Sequence, residues 1–389
     1  MKLEGIRVLD LSAFLPGPHL SMMLADHGAE VIMVEPANGV GEPTREIGYR
    51  TEDGVPVWFR NIARGKRSLK INLKDTEAHA FFLSLVGTAD VLIEAFRPGV
   101  VARLGIDYAR LKEVNPRLVY CSISAFGQDG PLRDRPAHDL AIQALAGTLA
   151  LGLGLEDGKP AAPNMPSADA IASLMALAGI LMALYRRTSS GRGDYIDLSM
   201  YDALLAWTAN VTGPVFAENA DPEPKTMRSF GGAAMNSIYE TADHRFLVIG
   251  GSEVKFAKNL LEAIGRPDLL AFAQIEPGPA QDPLKAFFRE TFASKPLAYW
   301  EDFLAKVDCC WAPIRSLKDA FADAHTSARG MLLEDESGNA HIGVPIKFQE
   351  EAGAPDLQLP AYGADSESLA REVGLDAATI HALKSRNAI

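Results

Sequence analysis

Two short apolar runs, Arg7 to Leu11 and Glu30 to Glu35, flank an amphipathic stretch from His19 to Asp26 that stops at Gly28. Alternating and β-branched residues favour strands, the period of the middle stretch favours a helix, and a glycine ends that helix. The order predicts a β-α-β unit. Asp90 to Glu94 and Leu118 to Ser124 add two further strand patterns. Between them Tyr108 to Val114 has helical spacing and closes at Asn115-Pro116. Strands alternating with helices predict an α/β fold with a mostly parallel, Rossmann-like sheet covered on both faces. Ligands of such sheets collect at the loops that follow strand ends, where Pro16-Gly17-Pro18, Arg97-Pro98-Gly99 and the loop from Gly127 to Pro136 are expected.

The chain has 389 residues, too many for one ordinary compact unit. Residues 1–217 are expected to form the N-terminal part of a large domain, and the proline- and charge-bearing stretch 218–228 a linker. Residues 229–326 then predict a smaller α+β domain. It has a hairpin from Ser237 to Gly250 and helices at Phe256 to Ile264, Asp282 to Phe292 and Ala298 to Lys306. Residues 327–389 return to short strands, a Pro- and Gly-rich stretch and a last helix from Ala377 to Ser385. Neither an internal repeat nor a low-complexity segment interrupts this order.

A formal charge of −12 with no basic stripe argues against nucleic acid and anionic membranes as partners, although a phosphorylated ligand needs only a local cluster of Arg and Lys. Arg64-Gly65-Lys66-Arg67 is too brief a basic patch to alter that. The three cysteines, two of them adjacent at Cys309 and Cys310, fit a reducing compartment. They form no CxxC pair and the eight histidines are scattered, so no metal site is expected. Met1 leads directly into a strand pattern without a signal-peptide layout, and Ile171 to Tyr185 is short for a bilayer span. The expectation is a cytoplasmic protein with no membrane segment.

Asp169 stands where a proline-bearing loop enters a long apolar helix, about thirty residues after His138-Asp139. A carboxylate there can cap the helix, a job Ser167 could also do, and Asp139 can cap the run from Leu140 to Leu149 with His138 partly buried beside it. The same groups can carry chemistry. Burial raises a carboxyl pKa and amide donors lower it, so a helix start can tune an acid, a base or a nucleophile, and imidazole can take or return a proton. Glu253 is likewise either a first-turn carboxylate of a second-domain helix or a functional group.

The words around these residues are more specific. Glu4-Gly5-Ile6-Arg7-Val8-Leu9-Asp10-Leu11-Ser12, Pro16-Gly17-Pro18, Leu24-Ala25-Asp26-His27-Gly28-Ala29-Glu30-Val31, Arg64-Gly65-Lys66-Arg67, Gly127-Gln128-Asp129-Gly130-Pro131, Arg135-Pro136-Ala137-His138-Asp139 and Gly191-Arg192-Gly193-Asp194-Tyr195 together resemble the class III CoA-transferase superfamily. The likeness covers nearly all of residues 3–205 and is followable to about residue 330. Within the superfamily the wording is most similar to α-methylacyl-CoA racemases, and less so to formyl-CoA and carnitine CoA-transferases.

That resemblance implies an interlocked homodimer with active sites between domains of different chains. It implies no permanently bound cofactor, with coenzyme A arriving as part of an acyl-CoA substrate. In the racemases a Gly-His-Asp motif and a later Asp exchange the α-proton, and His138 and Asp169 match them, with Asp139 orienting the motif. A glutamate from the partner chain assists, at the position of Glu253. Two departures stand out: Ala137 replaces the motif's glycine, and Ala170-Ile171-Ala172-Ser173 replaces a glycine-rich run. In the transferases the counterpart of Asp169 attacks the thioester, a free carboxylic acid accepts CoA, and His138 is dispensable. A third reading is an idle CoA-binding relative. Arg97 and Arg103 match CoA-contacting arginines and Asn72-Leu73-Lys74 an adenine-side segment, with Arg45, Lys66 and Ala137 as further candidates. Gly231-Gly232 resembles the transferases' glycine loop or is a simple turn.

Overall fold

The computed structural model describes residues 1–37, 39–152 and 160–389. They divide into two compact units, one of residues 1–146, 164–207 and 324–389, the other of residues 147–163 and 208–323. The division falls ten residues before the expected linker, and a segment preceding Asn164 joins the second unit.

In the first unit the chain runs β1 (Arg7–Asp10), α1 (Pro16–Asp26), β2 (Glu30–Pro36), α2 (Val57–Ala63), β3 (Lys66–Ile71), α3 (Thr76–Val86), β4 (Val91–Glu94), α4 (Val100–Leu104), α5 (Tyr108–Val114), β5 (Val119–Ser124), α6 (Asp139–Leu145), α7 (Ser167–Ser190), β6 (Tyr195–Ser199) and α8 (Met200–Ala206). The six strands pair in the order β3-β2-β1-β4-β5-β6, all parallel. β4 and β5 are buried at every position, as apolar strands covered on both faces must be. The strand order reverses between β1 and β4, the place where an open parallel sheet leaves a crevice.

Pro16-Gly17-Pro18 is the first turn of α1, not a loop. The missing proline N–H at a helix start would have been unpaired in any case, so the turn tolerates it. Gly17 is needed for space: a Cβ there would lie 2.0 Å from the Ser12 hydroxyl. Helix α7 is longer than the expected run and, among the described residues, is the helix long and apolar enough to cross a membrane. Its buried stripe, Ala168, Ala172, Ala176, Ile180 and Leu184, recurs every fourth residue and packs on the sheet and α1. Leu174, Leu181, Met182 and Tyr185 are exposed on it.

The second unit holds α9 (Gly213–Glu218), a sheet of β7 (Asn236–Glu240), β8 (Phe246–Gly250) and β9 (Trp311–Pro313), and the helices α10 (Val254–Ile264), α11 (Leu270–Ala273), α12 (Asp282–Phe292), α13 (Leu297–Leu304) and α14 (Leu317–Phe321). Its strands are antiparallel, and Tyr239, Leu247, Ile249, Leu260, Phe288, Phe292 and Trp300 form its core. The chain then re-enters the first unit through α15 (Ala324–Ala328), β10 (Leu332–Glu334), β11 (Ala340–Ile342), α16 (Ser366–Glu372) and α17 (Ala377–Ser385). Leu369, Ile380, Leu383 and Ile389 complete the core on one face of the large sheet. That return reaches the ligand side: the Asn72 N–H donates to the Ala388 carbonyl at 2.8 Å, and Arg386 pairs with Asp75 and Glu77.

Candidate functional site

A cavity of about 360 Å³ opens where the strand order reverses. Leu11, Val34, Ala37, Ile71, Phe96 and Leu104 are among the apolar residues of its wall, and Asn72, Leu73 and Lys74 lie along it, as do the carboxylates Glu35 and Glu42. An apolar slot of this size with few polar groups suits a flat ring system better than a charged one. The positive charges stand at its margin. Arg97 and Arg103, each next in the chain to a wall residue, are exposed, and among the described residues neither guanidinium nor the Lys74 ammonium makes a hydrogen bond or ion pair. Three cations at the wall, with no ion-pair partner among the described residues, are the donors an anionic phosphate requires.

Two other cations named above are already committed. Lys66 is completely buried; its ammonium donates to Ser21 Oγ at 2.7 Å and the Pro18 carbonyl at 2.9 Å, and pairs with Asp10 at 3.4 Å. It therefore anchors β3 to the start of α1 and has no face for a ligand. Arg45 binds both carboxylate oxygens of Glu35 at 2.8 Å, donates to the Pro360 carbonyl at 3.0 Å, and stacks 4.3 Å over Phe59. It too is structural. Ala137 packs, half-buried, against the core on the α7 side of the sheet.

The loops that carry the cavity are held by buried carboxylates. Glu94, at the end of β4, accepts the Phe96 N–H at 2.8 Å and the Ser122 hydroxyl, and burial pushes its carboxyl up to about 7. Glu42 accepts the Phe14 N–H at 2.8 Å and the Thr44 N–H at 2.8 Å; burial raises its pKa as well. Neither residue is among the site candidates that the sequence offers; Glu94 is legible there only as the end of a strand. A charge ending an otherwise apolar strand was the available signal for Glu94.

His138 and Asp139 open α6, and Asp169 is the third residue of α7. Asp139 does not cap its own helix. One of its oxygens accepts the Ala168 N–H at 2.8 Å and the Asp169 N–H at 3.3 Å, and the other accepts Gln143 Nε2 at 2.6 Å. Asp139 thus caps α7 from outside and ties the two helix starts together. Pro166 occupies the N-cap position of α7, so neither Ser167 nor Asp169 caps it. The Asp169 carboxyl is left without a hydrogen-bond partner among the described residues. Burial, with the Asp139 charge adding to it, pushes that carboxyl up to about 7. Amide donors that would have lowered it are spent on Asp139.

His138 is exposed rather than partly buried, and its ring nitrogens make no hydrogen bond among the described residues. The Phe14 ring stands beside the imidazole, centroids 6.1 Å apart and planes at 82°. Ser173, one turn beyond Asp169, is fully buried with Ala172, and its hydroxyl meets His19 Nδ1 at 3.0 Å. The small residues that replace the glycine-rich run thus serve the packing of α7 on α1.

Glu253 belongs to the second unit, where it is the exposed N-cap residue of α10 and makes no capping bond. Gly231, also there, has φ +87°, and a Cβ on Gly232 would come within 2.6 Å of the Met227 carbonyl oxygen. Both glycines serve a tight turn.

The sequence model of CoA-transferase family III matches residues 3–366. This chain belongs to that family. Among relatives of the family III chain, the acetyl-CoA:oxalate CoA-transferase of Acetobacter aceti is 35% identical over 388 residues, covering 95% of this chain and 96% of the relative. The α-methylacyl-CoA racemase of Mus musculus is 30% identical over 388 residues, covering 99% and 97%. A CaiB/BaiF family protein from Brucella suis superposes with a TM-score of 0.82 at 29% identity, over 95% of this chain and 99% of that one. Family III therefore accounts for the parallel sheet and for acyl-CoA chemistry, and its members divide between the two reactions that the resemblance had named.

Proposed function

We propose that this family III enzyme inverts the α-carbon of a 2-methyl- or otherwise α-substituted acyl-CoA by two-base proton transfer. The observation that carries the reading is that Asp139 ties the start of α6, which bears an exposed imidazole, to the start of α7, which bears a carboxyl pushed up to about 7; among the described residues neither group has a hydrogen-bond partner. A proton α to a thioester leaves only when a base faces it and a conjugate acid waits on the other side, and efficient general acids and bases titrate near the working pH. His138 and Asp169 would serve the two faces, Asp139 holding both helix starts in register. Glu253 would join from a partner chain in an interlocked homodimer.

Coenzyme A would lie with its adenine in the slot bounded by Asn72, Leu73 and Phe96 and its phosphates toward Arg97, Arg103 and Lys74. Because the Arg97 and Arg103 side chains have no hydrogen-bond or ion-pair partner among the described residues, Arg97→Ala and Arg103→Ala should each raise KM for acyl-CoA roughly tenfold with kcat nearly unchanged. Steady-state kinetics with a thermal melt checks this, and a fall in kcat or Tm would assign those arginines elsewhere.

A second reading, CoA transfer to a free carboxylic acid, is favoured by the acetyl-CoA:oxalate CoA-transferase among the relatives. Asp169 would attack the thioester carbonyl and expel CoA thiolate, which would return to the aspartyl carbonyl of the mixed anhydride, release the donor carboxylate and leave aspartyl-CoA thioester. The acceptor carboxylate would then displace the thiolate to form a second anhydride, whose acceptor carbonyl the thiolate attacks to give the new acyl-CoA and free Asp169. Hydroxylamine with acyl-CoA separates the two. Inversion predicts loss of optical activity with no acceptor acid and no Asp169 adduct on peptide mapping; an adduct at Asp169 with no inversion would replace it by transfer.

A further inference from the structure

Phe14 is a bulky residue in left-handed backbone, with φ +67°. Among the described residues the other non-glycine positions with positive φ are Asn219, His244, Glu351 and Asn387, so Phe14 is the one wholly apolar side chain there. Side chains other than those of Gly, Asn and Asp rarely adopt that region, and a strained residue persists only where its surroundings over-determine it.

The surroundings here do so. The segment from Leu11 to Leu15 leaves β1 at the cavity, with Leu11 donating its N–H to the Ile93 carbonyl at 2.8 Å and Ser12 donating its N–H to Asp10 at 3.0 Å. Phe14 then donates its N–H to buried Glu42, whose other oxygen is held by Thr44. Pro16 begins α1 immediately afterwards. The constrained backbone presents the ring outward, 40% exposed, and among the described residues its one aromatic neighbour is the imidazole of His138.

We propose that Phe14 is a positioning residue that sets the orientation of the His138 imidazole, and that Glu42 holds Phe14 in the backbone conformation this requires. The inference rests on the proton-transfer reading above. Among the described residues the exposed imidazole makes no hydrogen bond, and Phe14 is its aromatic neighbour. A near-perpendicular aromatic contact favours one ring orientation over the alternatives, which is what a base needs to meet a substrate C–H bond. The strain at Phe14 is then the consequence of placing a ring where the backbone would otherwise prefer a glycine.

The test compares Phe14→Gly, Phe14→Asn and Phe14→Tyr with the wild type in exchange of the α-proton of a racemic 2-methylacyl-CoA, alongside thermal melts. Glycine and asparagine both tolerate positive φ, so either variant keeps the backbone and removes the ring, and the asparagine variant serves should the glycine one not fold. Expected are at least a tenfold loss of kcat, KM for acyl-CoA within twofold, a Tm equal to or above wild type for Phe14→Gly, and recovery of most activity in Phe14→Tyr. Full activity in the ringless variants, or a loss that appears as KM or as a lowered Tm, overturns the proposal. Failure of the wild type to exchange the proton at all overturns the proton-transfer reading instead, so the two failures are distinguishable.

Discussion

Asp169→Asn is expected to reduce turnover by about 10²–10⁴-fold while making the fold more stable above neutral pH. The loss of activity follows whether the carboxyl moves a proton or attacks a thioester. The gain in stability follows from electrostatics alone. Burial beside Asp139 holds the Asp169 carboxyl at about 7, against an ordinary value of 3.8. Between those values the folded chain binds a proton that the unfolded chain has released, so stability falls as pH rises across that window. Asparagine carries no such proton. The variant's advantage should therefore be absent below about pH 4, grow with pH, and be complete above about pH 7. Three pH units at about 1.4 kcal/mol each set a ceiling near 4 kcal/mol, and partial solvation of a half-buried group brings the expected gain to the order of 2 kcal/mol. Denaturant titrations of both proteins at pH 4 and pH 8 measure the difference, and an equal or lower stability of the variant at pH 8 would contradict the burial argument.

His138→Ala should divide the reaction rather than merely slow it. If His138 and Asp169 each serve one face of the α-carbon, the variant loses inversion by about 10²–10⁴-fold yet keeps Asp169 able to exchange the proton on its own side. Deuterium from solvent should then enter one enantiomer of a 2-methylacyl-CoA without converting it to the other. The imidazole is exposed and makes no hydrogen bond among the described residues, so Tm should not change measurably. Chiral separation after incubation in D2O reads both quantities. Equal labelling of both enantiomers, or inversion at the wild-type rate, would remove His138 from the chemistry.

Much of the architecture was legible because local signals and tertiary burial agree. Tyr108–Val114, Asp282–Phe292 and Ala377–Ser385 form helices with the bounds that their spacing and flanking residues predict. The Asn115-Pro116 stop works through Asn115 itself, whose side-chain amide donates to the Val86 and Ala89 carbonyls at 2.9 and 2.7 Å. Local rules failed where the partner is distant in the chain. Lys66 has the composition of a ligand-binding cation, but β3 buries it against Asp10, fifty-six residues away. Asp139 looks like a cap for α6 and instead caps α7, thirty residues on.

The site was legible as residue types and not as states. Nothing in Ser12-Ala13-Phe14-Leu15 announces a left-handed phenylalanine, because that conformation is imposed by Glu42 across a separate loop. Nor does the sequence disclose that Asp169 lacks hydrogen-bond donors, since that depends on Asp139 having taken them. Ser173 shows the converse: its departure from the racemase pattern is intelligible once His19 of α1 lies against it.

Proton NMR of a single enantiomer of a 2-methylacyl-CoA, incubated with the enzyme in D2O without any carboxylic acid acceptor, tests the central claim most directly. Two-base proton transfer predicts disappearance of the α-proton signal, collapse of the methyl doublet to a singlet and parallel loss of optical activity. Retention of the α-proton and of optical activity, in a preparation that moves CoA from the same thioester to an added carboxylate, would contradict it.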